Sequence, residues 1–162
     1  MTTAAYLRDA IIPTALSLLP APMESFAARA MLLAIAGQES GYRYRRQVGG
    51  PARGWWQFEA GGGVVGVLEH PASRGAAGEV LATLGYAGAT AAQIHAALEH
   101  NDVLAAVFAR LLLWTDPRPL PQSVLSGVDG WAIYLATWRP GKPRPQTWAG
   151  YYAASWPGAV RA

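Results

Sequence analysis

Glu39 stands where an apolar run, Leu33-Ala34-Ile35-Ala36-Gly37-Gln38, meets Ser40-Gly41. A helix ending there would deliver one carboxyl to the point where the chain breaks out, with Gly41 as the stop. A loop rich in Arg and Gly follows, then the aromatic cluster Gly54-Trp55-Trp56-Gln57-Phe58. A carboxyl of this kind suits general acid catalysis on a poor leaving group, such as the bridging oxygen of a glycosidic bond. That chemistry requires the acid to keep its proton near neutral pH. Two features favour this at Glu39: the partial negative charge of a helix C-terminus and desolvation against a Trp-rich segment. Nearby arginines would push the other way. The plain alternative is a surface Glu near a helix end.

Glu39-Ser40-Gly41 followed by Gly54-x-x-Gln57-Phe58 resembles the lytic transglycosylase and goose-type lysozyme group. A third match, Asn101-Asp102-Val103-Leu104-Ala105-Ala106 leading into Ala109-Arg110-Leu111-Leu112, resembles that family's Asn-initiated helix. The resemblance covers roughly residues 24 to 142. It rests on the order and spacing of short motifs. It implies a mainly α, lysozyme-like single domain over 1–162, with a short loop or hairpin region after the catalytic helix. It implies Glu39 as catalytic acid/base, Ser40 orienting the Glu or the substrate, and Gln57 as a polar contact in the glycan groove. The implied activity is lytic transglycosylase cleavage of the MurNAc–GlcNAc backbone of peptidoglycan, in which one Glu acts twice. The family's late Ala-Tyr-Asn-Ala-Gly-like segment, whose Tyr touches the catalytic Glu, reads here Ile133-Tyr134-Leu135-Ala136-Thr137-Trp138-Arg139-Pro140-Gly141-Lys142. Tyr134, one helical turn earlier, is the candidate replacement.

Two rivals remain. A hydrolytic lysozyme or chitinase of the same fold would add a second carboxylate, for which Glu59 is the candidate; otherwise Glu59 is an N-terminal charge on the following helix. A non-catalytic glycan-binding or virion structural protein would keep the fold without turnover, and Thr137-Trp138 in place of the family's Tyr-Asn favours it.

The aromatic residues are read individually. Trp55 and Trp56 are adjacent, so in an extended chain one faces inward and the other meets the groove. Trp131, Tyr134, Leu135 and Trp138 recur at helical spacing. That makes Trp131 and Trp138 core candidates, although Tyr134 and Trp138 also belong among the substrate-contact candidates.

Apolar residues make up 52% of the 162 and charged residues 14%, a composition for a folded chain with a sizeable core. The net charge of +3 is mild and calls for no nucleic acid. It suits an anionic wall polymer. The basic residues form two groups, Arg43, Arg45, Arg46 and Arg53 near Glu39, and Arg139, Lys142 and Arg144 later; the alternative for each is solvated loop charge. With no cysteine, disulfides and thiolate chemistry are excluded. His70, His95 and His100 lack metal-ligand spacing, and no cofactor or metal is expected. Gly61-Gly62-Gly63 lacks the Gly-Lys-Ser/Thr of a phosphate loop. The apolar stretch Ala10 to Ala21 is interrupted by Pro13 and Pro20 and reads as an amphipathic helix, not a signal segment. No membrane insertion is expected. Absence of a clear leader and of a wall-binding repeat points to a phage endolysin or a virion-associated lysin. Such a monomer is made in the host cytoplasm and acts in the periplasm or cell wall, or is carried in a virion. Its partners would be glycan strands, with a holin or virion proteins.

The expected helices are 3–19, split or kinked at Pro13; 23–39, with Phe26, Ala30, Leu33 and Ala34 on its apolar stripe; 64–69; 72–84; 91–99 capped by Thr90; Asn101 to Trp114; one capped by Asp129; and 146–155. Pro-rich connectors fill 116–127 and 139–145.

Overall fold

The computed structural model describes residues 1–156. The part of the expected domain beyond them, 157–162, lies outside the described residues. The chain is mainly helical, and no strand forms among the described residues. In place of a true hairpin, the stretch after the Glu39 helix holds two isolated antiparallel bridges, Arg46 with Arg53 and Arg53 with Phe58.

The first helical stretch runs through α1 (Thr3–Tyr6), a π turn (Leu7–Ile11) and α2 (Ile12–Ser17). Pro13 does not break it. Proline lacks an N–H and its ring crowds the carbonyl four residues back. The widened turn just before it, closed by Ile12 N–H donating to Leu7 O, relieves that crowding.

Helix α3 (Phe26–Ser40) starts later than the apolar pattern suggests, because Ser25 is its cap: the Ser25 hydroxyl accepts from Ala28 N–H at 3.0 Å. Nearly every residue from Ala27 to Gln38 is buried, so α3 is a central helix and not an amphipathic one. Phe26, expected in the core, is 57% exposed. Gly41 terminates α3 in the left-handed region at φ 58°, as a residue without Cβ can do cheaply.

A π turn (Ala60–Val64) holds the triple glycine and leads into α4 (Val65–Glu69), α5 (Arg74–Thr83) and α6 (Ala91–Ala97). Thr90 and Gln93 form a reciprocal capping box on α6. Asn101 caps α7 (Asp102–Trp114), accepting from Leu104 N–H at 3.0 Å. Helix α7 is buried from Leu104 to Leu113 and is the second central helix.

Helix α8 (Gly127–Trp138) begins two residues before Asp129, which therefore lies in its first turn and does not cap it. A 3-10 turn, Val124–Ser126, sets that earlier start. Helix α9 (Pro145–Ala154) lies directly against α3. Gly37 permits this approach: a Cβ there would overlap the Tyr151 ring and meet Tyr42 Cζ at 2.8 Å. The close α3–α9 pairing brings the start of α9 beside Glu39. No helix among the described residues is long and apolar enough to cross a membrane.

Candidate active site

Glu39 lies in the last turn of α3 and opens onto a cleft of about 850 Å³, a volume within the usual range for ligand sites. Two stretches supply much of the lining. One runs from Tyr44 to Gly66 and includes Gln57, Phe58 and Glu59. The other runs from Ala136 to Arg144. His70, and Leu112 and Thr115 of the α7 end, complete it.

The Tyr134 hydroxyl donates to Glu39 Oε1 at 2.5 Å, across 95 residues of sequence. The ring is held in an aromatic column. Its centroid is 6.3 Å from Trp138 and 5.4 Å from Trp148, both stacked. Trp148 continues to Tyr152 at 5.6 Å and Tyr152 to Trp156 at 5.8 Å. Fixed on two faces, Tyr134 has little freedom to move its hydroxyl off the carboxyl. Burial pushes the Glu39 carboxyl up, while the Tyr134 hydroxyl and the Arg144 charge pull it down only in part. The balance raises it from 4.5 to about 7. The Tyr134 phenol is itself driven up, by burial first and then by the neighbouring carboxyl.

Arg144 is anchored beside Glu39 by Gln38. The guanidinium donates from Nη2 to Gln38 O at 2.6 Å. The Gln38 amide donates back to Arg144 O at 3.0 Å and accepts from the Thr147 hydroxyl at 2.9 Å. Gln38 is 1% exposed, so this amide joins α3 to the start of α9 out of water.

The remaining sequence candidates divide sharply. Trp138 lines the cleft half-buried, its indole N–H donating to Trp56 O at 2.9 Å. Gln57 lines it too, with its side-chain N–H donating to Gly54 O at 2.8 Å. Ser40 borders the cleft, but its hydroxyl donates to Ala36 O at 2.7 Å and accepts from Tyr42 N–H. It therefore secures the helix end. Glu59 is an exposed residue of the cleft wall; its side chain makes no cap on the turn that follows.

Trp55 and Trp56 do not split between core and groove. They are 5% and 0% exposed, and neither lines the cleft. Residues 54–57 form a tight turn, with Gly54 at φ 73° and Gln57 at φ 50°, closed by Gln57 N–H to Gly54 O at 3.0 Å. The alternation of an extended chain does not apply to such a turn, and both rings go inward. Trp56 donates to Leu32 O at 2.8 Å, and the Arg45 guanidinium covers Trp55 at 4.4 Å.

The first basic group also disperses. Arg45 forms a two-pronged pair with Asp102, at 2.8 and 2.7 Å. Arg53 pairs with Glu99 at 3.0 Å. Neither lines the cleft, whereas Arg139, Lys142 and Arg144 all do.

Sequence reasoning missed Tyr44, Val48 and His70 as cleft residues and Gln38 as the anchor of Arg144. The only sequence signal for Gln38 was an amide inside an otherwise apolar helix end. Among the described residues three non-glycine residues adopt positive φ: Tyr42 at 59°, Gln57 at 50° and Arg139 at 49°. Two line the cleft and Tyr42 follows the Glu39 helix end, the clustering expected of a functional site. Among the described residues no group of three His, Asp or Glu side chains could hold a metal ion.

A scan against protein-family models, a search of curated proteins and a search of solved structures each find no match to this chain. The case for function therefore rests on the motifs and on the site geometry.

Proposed function

We propose that this chain cleaves the glycan backbone of peptidoglycan as a lytic transglycosylase, with Glu39 as the single general acid and base. The observation that carries the reading is Glu39 itself, a carboxyl at a cleft whose pKa of about 7 keeps much of it protonated at neutral pH. In the proposed reaction Glu39 gives its proton to the oxygen bridging MurNAc and GlcNAc, and the C1–O bond breaks. The Glu39 carboxylate then takes the proton of the sugar's own C6 hydroxyl. That oxygen closes on C1, the product ends in 1,6-anhydro-MurNAc, and Glu39 is again protonated. Water is not consumed. Tyr134 supports both halves, since its hydroxyl orients the acid and stabilises the carboxylate left after proton transfer. A phage endolysin or virion-associated lysin is the setting this activity suits.

A second reading has one observation in its favour: Glu59 lines the same cleft. In a hydrolytic lysozyme or chitinase it would activate water as the second carboxylate. Mass spectrometry of muropeptides released from purified sacculi separates the two. The proposal expects anhydro products, one water lighter than hydrolysed ones. Reducing-end MurNAc, with inactivation by Glu59→Gln, would favour the hydrolase. No release at all would leave a glycan-binding protein.

A further inference from the structure

We infer that Arg139 and Lys142 form a carboxylate-binding subsite of the Glu39 cleft, so that the preferred substrate is an acidic glycan and not a neutral one. This rests on the glycan-cleaving reading above and sharpens it. Three cations, Arg139, Lys142 and Arg144, line one short stretch of the cleft. Among the described residues none of the three takes part in an ion pair, although five Arg–carboxylate pairs form elsewhere. The acidic groups of the cleft are Glu39 and Glu59 alone. Glu39, held at about 7, is only partly ionised at neutral pH.

The three cations are not equivalent. Arg144 is engaged with Gln38 O and sits close enough to Glu39 to pull its carboxyl down. All three are exposed; Arg139 gives its Nε–H to Ala136 O at 3.2 Å, which leaves its Nη groups and the Lys142 ammonium to face the cleft. Arg139 is held on the cleft by an unusual backbone: it ends α8 in the left-handed region at φ 49°, where glycine is the common choice. A neutral chitin-like chain gives these cations nothing to neutralise. A muramyl glycan does, through the carboxylates of its peptide stems or through the lactyl carboxylate exposed when a stem is removed. The shared chemistry is a carboxylate beside the sugar ring. The exposed guanidinium can meet it in two-pronged fashion, the ammonium as a point charge.

The test compares four preparations from sacculi free of teichoic acid: stem-bearing strands, strands stripped by an amidase so that only lactyl carboxylates remain, and each of these after carbodiimide coupling to methylamine, which neutralises the carboxyls and leaves the sugar backbone intact. Wild-type protein should cleave neutralised strands with a KM about three- to tenfold higher, the effect of one or two rim ion pairs, and with little change in kcat. The charged preparation showing the larger loss identifies the stem or the lactyl group as the source. The variant Arg139→Asn with Lys142→Gln should show nearly equal KM on charged and neutralised strands; Asn tolerates the left-handed backbone at 139. Raising the salt should shrink the wild-type difference in the same way. Equal KM for wild type on charged and neutralised strands would overturn the subsite while leaving the glycan-cleaving reading intact. An undiminished difference in the double variant would do the same. Failure of wild type to cleave any preparation would remove both.

Discussion

Glu39 and Asp102 are two carboxylates drawn out of bulk water at opposite kinds of helix end. Asp102 is the first residue of α7, where the helix dipole favours an anion, and Glu39 lies in the last turn of α3, where it disfavours one. Burial pushes both up. At Asp102 the Arg45 guanidinium, hydrogen bonded through two prongs, outweighs burial and holds the carboxyl below the ordinary range. At Glu39 the hydrogen-bond partner is a neutral phenol and the nearest cation is engaged elsewhere, so burial wins and the carboxyl reaches about 7. One chain thus fixes one carboxylate as an ionised strut and leaves another as a usable acid. Burial and partner decide together: the Glu39 carboxyl is the more strongly desolvated and has only a neutral donor, whereas Asp102 has a cation.

The largest expected effect comes from removing the proposed acid. Glu39→Gln keeps the shape and the contact with Tyr134 but has no proton to give. Its rate of sacculus cleavage should fall by at least roughly 10²-fold, with an unchanged circular dichroism spectrum. Near-native cleavage by a folded Gln variant would break the contrast between the two carboxylates.

Stability should carry the same contrast with opposite signs. The folded-state pKa of Glu39 is raised, so between about 4.5 and 7 the native state binds more protons than the unfolded chain. Stability from this group is fully present at low pH and declines as pH rises through that window, by up to about 3 kcal/mol. Glu39→Gln should abolish the decline and be the more stable protein at pH 8 in urea titrations. The folded-state pKa of Asp102 is depressed, so its contribution is present at neutral pH and is lost as pH falls below the ordinary carboxylate range. Asp102→Asn should cost about 1–3 kcal/mol at pH 7, towards the lower end because the Arg45 side chain is 43% exposed. Its deficit should shrink in acid. A variant as stable as wild type at pH 7 would show that the Arg45 pair adds nothing.

The smallest expected effect is at Tyr134. Phe keeps the stacking with Trp138 and Trp148 but removes the hydroxyl that pulls the Glu39 carboxyl down. The alkaline limb of the kcat profile should move up by a fraction of a pH unit, while the rate at its optimum falls because the acid loses its orienting contact. An unmoved limb would mean that the hydroxyl does not touch the acid in solution.

Much of this arrangement was legible in the sequence where its causes are local. The end of α3 at Gly41 follows from an apolar run and a residue that tolerates positive φ. The caps Thr90 and Asn101 announce themselves by side chain and position. The start of α8 was misread because Asp129 has a capping side chain, while the 3-10 turn before Ser126 leaves no comparable mark. The inward turn of both Trp55 and Trp56 depends on positive φ at Gln57, which residue type does not disclose. The Gln38–Arg144 anchor spans 106 residues and exists only because Gly37 lets α9 approach α3. Distance along the chain, not obscurity of the residues, hid that part of the site.

Carbon-13 NMR titration of the side-chain carboxyls of Glu39 and Asp102, in one sample from pH 2 to pH 9, tests the central claim most directly. The account predicts a Glu39 midpoint of about 7 and an Asp102 midpoint below the ordinary aspartate range. A Glu39 midpoint near 4.5 would leave it ionised at neutral pH and would contradict its proposed role as the acid.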